Sequence, residues 1–273
     1  MIGSRSIAVL ALVVAASLAG CAPGQPPDQT ADQTSPDQTS PDQTTSTPSA
    51  TSAPGPVIDP GDGGNYQPDL TAADTVAAID NQYLPLEVGS RWVYEGESDG
   101  EIERTEVVVT DQRRTVMGID AVVVRDSVTV NGQLVEDTFD WFTQDTDGNV
   151  WYLGEDVKEY DAAGSVSTAG SWEAGVDGAL PGIVMPGVPR VGAAYRQEFY
   201  PGEAEDLMQV LRVDERMTVT FGYFEQVITT QEWNPLEPEV VEEKSYAPGI
   251  GMIVEKTVRG GSGTAELIEL NAP

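Results

Sequence analysis

The side chains that could do chemistry in this chain are few in kind. Its 273 residues include no histidine and one cysteine, Cys21. Ser-His-Asp and Cys-His catalysis both need an imidazole base, and zinc, copper and non-haem iron sites draw on histidine and cysteine ligands. Metals with oxygen ligands, such as calcium, remain open, and so does a hydrolase that works without histidine. The sequence assigns no catalytic residue.

The stretch QDTDGNVWYLGEDV, residues 144–157, combines carboxylates, an amide and a glycine. When Gly148 is aligned with the glycine of the EF-hand template, the first and last ligand positions fall on Thr143 and Gly154, which carry no carboxylate. We therefore interpret the stretch as a hairpin between two strands. The alternative is a calcium site at the turn, and no other cofactor is expected. The calcium ligands would be Asp145, Asp147 and Asn149.

Aromatic side chains stand close to these carboxylates in the sequence. Tryptophans beside acids can form a carbohydrate-binding platform, or they can pack the core of a β domain. Residues 170–192 are rich in glycine, proline and apolar side chains, so we expect a lid over the sheet or an ordered plug. We predict a ligand groove between this segment and the neighbouring strands. Its residues are Trp141, Trp151, Tyr152, Trp172 and Met185.

The elements that must position these residues are β-strands. Segments such as RTEVVVTD, DAVVVRDSVTV and MTVTFG have a period of two and are rich in β-branched residues. Asn131-Gly132 and Asp147-Gly148 are hairpin signals, and Pro248-Gly249 suits a type II turn. Consecutive hairpins predict an all-β domain. We expect one antiparallel meander of about ten to twelve strands, forming a strongly curved sheet, a half-barrel or a barrel.

The hairpin signal at Asn131-Gly132 also predicts a strand register. If these two residues form the whole turn, Val124 faces Phe139 and one face becomes strongly apolar, so that face should be the core side. The same register places Asp126 opposite Asp137 in the middle of that face, and opposed like charges cost energy. We expect a β-bulge or an arginine to resolve this conflict, in preference to a metal ion.

The N-terminus indicates export. Residues 7–18, IAVLALVVAASL, form an uncharged run of 12 residues behind Arg5, which suits a signal peptide and is short of the roughly 20 residues of a membrane-spanning helix. The following LAGC, ending at Cys21, resembles the lipobox of bacterial lipoproteins. This resemblance implies a signal peptide at 1–20, a lipid on Cys21 and a protein anchored to the membrane on its extracytoplasmic side.

Two further regions follow Cys21. Residues 21–68 contain repeated DQT motifs and almost no apolar side chains, which predicts a disordered stalk. Residues 69–273 form the predicted β domain. It begins with a short helix, because Thr71 and Asp74 have the spacing of a capping box.

The charge of the chain limits its partners. The net charge is −31 at pH 7, a sign that repels nucleic acid and favours cations or basic partners. We expect a monomer that contacts the membrane through the lipid on Cys21.

Several motifs of the β domain resemble a group of uncharacterised secreted or lipidated bacterial proteins. They include RWVYEGE, DWFTQDTDGNVWYLGEDV, GSWEAGVDGALPGIVMP and EKSYAPGIGMIVE. The resemblance implies an envelope protein and transfers no functional residue. We expect a non-catalytic binding or interaction domain for a hydrophobic ligand or an envelope component. A calcium-dependent or glycan-binding module is the alternative.

Overall fold

The structure is a computed structural model that describes residues 60–98 and 100–273. The predicted signal peptide, the lipidation site at Cys21 and residues 22–59 of the predicted stalk lie outside the described residues. Within the described ranges, no helix has the length and apolar character needed to cross a membrane.

The described chain consists mainly of antiparallel β-strands, which confirms the predicted all-β fold class. In chain order the strands are β1 (Thr75–Val76), β2 (Arg91–Ser98), β3 (Glu101–Val116), β4 (Ile119–Val130), β5 (Gln133–Asp145), β6 (Val150–Tyr160), β7 (Val166–Ser167), β8 (Trp172–Glu173), β9 (Leu180–Met185), β10 (Ala194–Arg196), β11 (Glu198–Phe199), β12 (Leu207–Val219), β13 (Gly222–Trp233), β14 (Val241–Ala247), β15 (Gly251–Arg259) and β16 (Gly263–Asn271).

One 16-stranded sheet contains these strands and nearly closes into a barrel. Strands β2 to β6 and β12 to β16 each pair with the next strand along the chain, and β16 returns to pair with β2. The two remaining edges meet through residues 194–199, because β10 pairs with β12 while β11 pairs with β9. We call this junction the seam. The predicted strongly curved meander is therefore confirmed.

The seam requires a glycine on β9. A Cβ atom at Gly182 would lie 2.2 Å from the carbonyl carbon of Gln197 and 2.5 Å from the backbone nitrogen of Glu198. These distances are far below van der Waals contact. The two backbones can therefore approach closely only because residue 182 carries no side chain.

The Asn131-Gly132 turn forms as predicted. Val130 pairs with Gln133 across it, and both turn residues have positive φ, 50° and 80°, as a type I′ turn requires. The hairpin at Asp147-Gly148 does not have the two-residue turn that this signal predicts. Gln144 pairs with Val150, and the loop between Asp145 and Asn149 is closed by their backbone hydrogen bond of 3.0 Å. The loop is longer than two residues because the Asp145 carboxylate organises it.

A β-bulge changes the register that the first turn predicts. The pairing between β4 and β5 shifts between Val128 and Thr129, so Asp126 faces Thr138, and Val124 faces Asp140 instead of Phe139. The predicted apolar face is therefore wrong for β5, since a shift of one residue exchanges the two faces of a strand. The bulge moves Asp137 away from the position opposite Asp126, which is one of the two expected outcomes.

Two predicted segments differ from the expectation, one with a shorter helix and one with added strands. The expected helix is a single 3₁₀ turn at Ala72–Asp74, where the Thr71 backbone N–H donates to the Asp74 carboxylate at 3.0 Å. Directly after it, β1 pairs with the end of β5. The 170–192 segment contains β8 and β9, which both pair with β6. It extends the sheet towards the seam.

Residues 60–68, placed in the stalk by composition, contact the β domain. The Arg196 Nε donates to Asp62 at 2.7 Å, and the Tyr66 hydroxyl donates to the Pro181 carbonyl at 2.8 Å. The Tyr66 ring also packs edge-on against Phe199 with ring centroids 5.6 Å apart. The last part of the stalk therefore lies along the outside of the seam.

Candidate functional site

Acidic side chains form a band on the inner face of the sheet. They come from strands around the barrel, and most are shielded from solvent almost completely. We call this set the acidic band. Its buried members are Glu103, Asp126, Glu136, Asp140, Glu155, Glu198, Glu232 and Glu255, and its partly buried members are Asp206 and Glu242.

Strand alternation and register bring these residues together. Along β5, Glu136, Thr138 and Asp140 share the buried face, because successive side chains of a strand point to opposite sides. Neighbouring strands contribute acids at matching positions. The directly paired acids are Asp140 with Glu155 and Glu232 with Glu242. The band therefore results from pairing across several strands and not from any local sequence motif.

Asp126 is one of the fully buried carboxyls of the band. Its exposed fraction is 0%, and neither carboxyl oxygen has a hydrogen-bond partner among the described residues. Burial raises the pKa of Asp126 well above its ordinary value, and the nearby Asp140, Glu136 and Glu103 carboxyls raise it further. Lys244 opposes this effect from β14. Without an added cation, Asp126 is therefore held in its neutral form.

Two acids on β5 also hold protons near neutral pH. Burial raises the pKa of Asp140 to about 8, although the Tyr152 hydroxyl donates a 2.7 Å hydrogen bond to its Oδ1 and favours the ionised form. Burial raises the pKa of Glu136 to about 7, against the opposing effect of a 3.0 Å hydrogen bond from the Thr138 hydroxyl. Both groups can exchange protons in the range between pH 6 and pH 9.

A buried lysine places one cation on one side of the band. The Lys244 ammonium lies 2.8 Å from Glu232 Oε2 and 3.5 Å from Glu255 Oε2. Burial lowers the pKa of Lys244, but Glu232 and Glu255 more than offset this effect, so the pKa lies above its ordinary value. The β13–β15 side therefore has a fixed cation. On the β4–β6 side, no arginine or lysine of the described residues forms an ion pair with Asp126, Asp140 or Glu155.

The band continues to the seam through Glu198 of β11. Burial raises the pKa of Glu198 well above its ordinary value, and the neighbouring Asp206 carboxyl raises it further, while the Trp172 indole has the opposite effect. The pairing that holds Glu198 in place consists of two residue pairs between β9 and β11. The acidic band thus reaches the seam, where only two residue pairs join β9 and β11.

The side chains that directly flank Asp126 on β3 and β4 are uncharged and largely apolar. Its direct partner on β3 is Val107, and Val124 and Val128 flank it on the same face of β4, each at most 2% exposed. Thr105 is a diagonal neighbour on β3, and its hydroxyl oxygen is buried without a hydrogen-bond partner in the described ranges. The site thus combines unpaired polar atoms with apolar walls.

The structure separates the residues of the predicted groove. Tyr152 and Trp172 lie beside the acidic band, with ring centroids 5.4 Å apart in an edge-on arrangement. Trp141 belongs to the opposite face of β5, where the guanidinium carbon of Arg114 lies 3.8 Å from its ring centroid. Trp151 is also on that side, and Met185 is fully buried. Tyr152 and Trp172 therefore lie inside the sheet, and the ligand groove stays a prediction.

The predicted calcium ligands organise the hairpin loop. The Asp145 Oδ1 accepts backbone N–H bonds from Asp147 and Asn149 at 2.9 Å, and its Oδ2 accepts from Asn149 Nδ2 and Trp151 Nε1 at 2.8 Å. Calcium binding at Asp145, Asp147 and Asn149 stays a prediction. Among residues 60–98 and 100–273, no group of three or more acidic side chains has the spacing of a metal site.

The acidic band as a whole can attract a cation and release protons when the cation binds. Sequence reasoning identified Asp126 as misplaced but missed Glu136, Asp140 and Glu155, since the turn-based register assigned them to the outer face. The available signal was the alternation of Glu136, Thr138 and Asp140 together with the charge conflict at Asp126. Both observations require the same one-residue shift.

Comparisons with known proteins assign no family. No protein-family model and no curated protein matches the chain. A structure from Bacteroides fragilis, described as an exported protein with a YmcC-like fold, is 13% identical, covers 70% of this chain and 100% of its own, and has a TM-score of 0.39. A structure from Parabacteroides distasonis, described as a lipoprotein, is also 13% identical with the same coverage and a TM-score of 0.33.

Proposed function

We propose that this chain is a lipid-anchored, extracytoplasmic binding protein whose ligand site is the inner face of the curved sheet. The observation that carries the proposal is the buried carboxyl of Asp126, which has no hydrogen-bond partner among the described residues and belongs to a band of further acids. The ligand would supply the partner that the protein does not.

Stability alone does not account for the acidic band. Burying a polar group without a hydrogen bond costs about 1–3 kcal/mol in proteins, and burying an unpaired charge costs more. An apolar residue at position 126 would pack against Val107, Val124 and Val128 without this cost. Buried groups with strongly shifted pKa values are concentrated at functional sites. Ligand binding is therefore the interpretation that uses the feature.

A non-catalytic role fits the position of the best acid. Asp140 has the raised pKa of a general acid, about 8. However, its exposed fraction is 0%, and its Oδ1 is already bound by the Tyr152 hydroxyl. A ligand that enters the sheet would meet Asp140 as a binding group. Ligand binding and glycoside hydrolysis can be measured separately. We expect Asp140→Asn to weaken ligand binding and to leave glycoside hydrolysis unchanged.

The anchor is tested independently of the site. The proposal for Cys21 is supported by the LAGC motif, which resembles a lipobox, and by the apolar run before it. We expect the chain to incorporate a labelled fatty acid and to fractionate with membranes, and we expect Cys21→Ser to abolish both. A labelled, membrane-bound Cys21→Ser chain would refute this part of the proposal.

Native mass spectrometry of the full chain tests the ligand site. We expect a noncovalent organic mass on the wild-type chain and on Asp120→Asn, a control at an exposed position of β4. The same mass should be lost or strongly reduced in Asp126→Asn, with unchanged circular dichroism. Retention by Asp126→Asn would contradict a site at the acidic band. A mass that disappears after calcium chelation would instead favour the calcium site at Asp145, Asp147 and Asn149.

A further inference from the structure

We propose that the group recognised inside the sheet is an organic ammonium ion attached to an apolar body, bound by Asp126, Asp140 and Glu155. This inference rests on the proposed function, because it names the chemical class of ligand for that same site. Four features of the described residues carry it: the charge distribution, the unpaired oxygen atoms, the neutral walls and the route of entry.

The charge distribution leaves one side of the barrel without a cation. Lys244 lies 2.8 Å from Glu232 and 3.5 Å from Glu255, so the β13–β15 side contains one cation supplied by the protein itself. Asp126, Asp140 and Glu155 on the opposite side have no ion-pair partner among the described residues. A ligand with one positive charge would do for this side what Lys244 does for the other.

The unpaired carboxyl atoms on this side are hydrogen-bond acceptors once the acids are ionised. Within the described ranges, both oxygens of Asp126, Oδ2 of Asp140 and Oε2 of Glu155 are buried without a hydrogen bond. The hydroxyl oxygen of Thr105, which is not acidic, is buried and unpaired beside them. An ammonium group offers three donors and no acceptor. Its hydrogen-bonding capacity is therefore complementary to this part of the interior.

The walls favour an organic cation over a metal ion. A metal needs several oxygen ligands converging within about 2.0–2.6 Å of one point, and no group of three acids in the described part of the chain has that spacing. Instead, Val107, Val124 and Val128 surround Asp126. The Tyr152 ring, stacked on Phe142 at 5.0 Å, provides an aromatic face near Asp140. Apolar and aromatic walls suit an alkyl or aryl chain next to its ammonium head.

The seam provides a route of entry. Glu198 of β11 continues the acidic band to the barrel edge, where β9 and β11 share two residue pairs. Short pairings at the edge of a sheet open at lower free energy than its central strands. The opened seam would expose Glu198 and Asp206, which attract a cation. The cation then moves inwards to Glu155, whose carboxyl interacts electrostatically with both of these acids.

Isothermal titration calorimetry of the full chain in nonionic-detergent micelles at pH 8 tests the inference. The probes are hexylammonium, the neutral 1-hexanol of equal chain length, and calcium. We expect the wild-type chain and Asp120→Asn to bind hexylammonium at least tenfold more tightly than hexanol and to prefer it to calcium. Asp126→Asn should lose at least tenfold in hexylammonium affinity while its affinity for hexanol is kept. Asp140→Asn provides a second variant should Asp126→Asn fail to fold.

Each outcome separates the ligand class from the site. Val124→Trp is a further variant, in which a larger side chain fills the interior. If hexylammonium and hexanol bind with equal affinity and Val124→Trp weakens both, the ammonium inference is overturned and the proposed site is kept. Tight hexylammonium binding that neither Asp126→Asn nor Asp140→Asn weakens would place the cation elsewhere and overturn the inference. If neither probe binds and the purified chain carries no organic mass, the proposed function fails together with the inference.

Discussion

Asp140→Asn should weaken the pH dependence of stability of the unliganded protein. Asp140 has an ordinary pKa of 3.8, which burial raises to about 8 in the folded chain. The folded state therefore holds the proton more tightly than the unfolded chain does. Stability is highest below the unfolded pKa, and it falls as the pH rises towards the folded pKa. Asparagine has no such proton, so this contribution disappears in the variant.

The size of the effect follows from the two pKa values. One pKa unit corresponds to about 1.4 kcal/mol, so raising the pH from 4.5 to 8 should cost the wild-type protein about 4 kcal/mol through Asp140 alone. In the variant, the amide oxygen can still accept the Tyr152 hydroxyl, but the amide nitrogen lacks a partner and costs about 1–3 kcal/mol at every pH. The two stability curves should therefore cross, with the variant less stable at pH 4.5 and more stable at pH 8.

Urea denaturation followed by circular dichroism at pH 4.5, 6, 7 and 8 measures both curves. The ionisable groups that face Asp140 are Asp126, Glu136, Glu155 and Tyr152. Asp120→Asn, at an exposed position, should follow the wild-type curve. Parallel curves for wild type and Asp140→Asn over this range would refute the argument that Asp140 is buried as a protonated acid.

Three further variants test the architecture around the band by chemical denaturation. Lys244→Met leaves two buried carboxylates without their cation and should lower the free energy of unfolding by about 3–5 kcal/mol. Lys256→Met, at an exposed position of β15, should lower it by less than about 0.5 kcal/mol. Equal effects would contradict the role of Lys244 as the cation of the band. Gly182→Ala places a Cβ 2.2 Å from backbone atoms, so it should destabilise the protein by more than about 2 kcal/mol and speed hydrogen exchange in residues 194–199. The control Gly222→Ala should have little effect, because its Cβ meets only ordinary contacts at 3.8 Å. Unchanged hydrogen exchange at the seam in Gly182→Ala would show that the backbones of β9 and β11 are not closely packed. Asp145→Ala removes four hydrogen bonds from the hairpin loop and should cost about 2–4 kcal/mol with no change in hexylammonium affinity; a loss of that affinity would connect the loop to the site.

The sequence was sufficient to predict the fold class because its signals are local. Strand period, β-branched residues and turn residues determine that hairpins form, and the Asn131-Gly132 turn pairs Val130 with Gln133 as expected. Barrel curvature followed from the number of strands in one meander. The short helix was overestimated because a capping box fixes a start without fixing a length, and the chain enters β1 at Thr75.

The acidic band could not be predicted from the sequence because it depends on register. The turn gives the pairing only up to the bulge between Val128 and Thr129, and beyond it every side chain of β5 changes face relative to β4. Asp137, expected inside, instead forms a 2.6 Å ion pair with Arg125 on the outer side. Closure at the seam, which brings Glu198 to the band, depends on the short pairings of β10 with β12 and of β11 with β9.

Calorimetric measurement of proton release tests the central claim most directly. Titrating the full chain with hexylammonium at pH 7 in Tris and in phosphate, which differ in ionisation enthalpy, gives the number of protons released on binding. A cation inside the band stabilises the ionised carboxyls, so Asp140, with a pKa of about 8, and Glu136, with a pKa of about 7, should together release about one proton. We predict a more exothermic heat in Tris than in phosphate, a smaller difference with Asp140→Asn, in which Glu136 still releases protons, and no difference with hexanol. Hexylammonium binding with the same heat in both buffers would contradict a cation site among the buried acids.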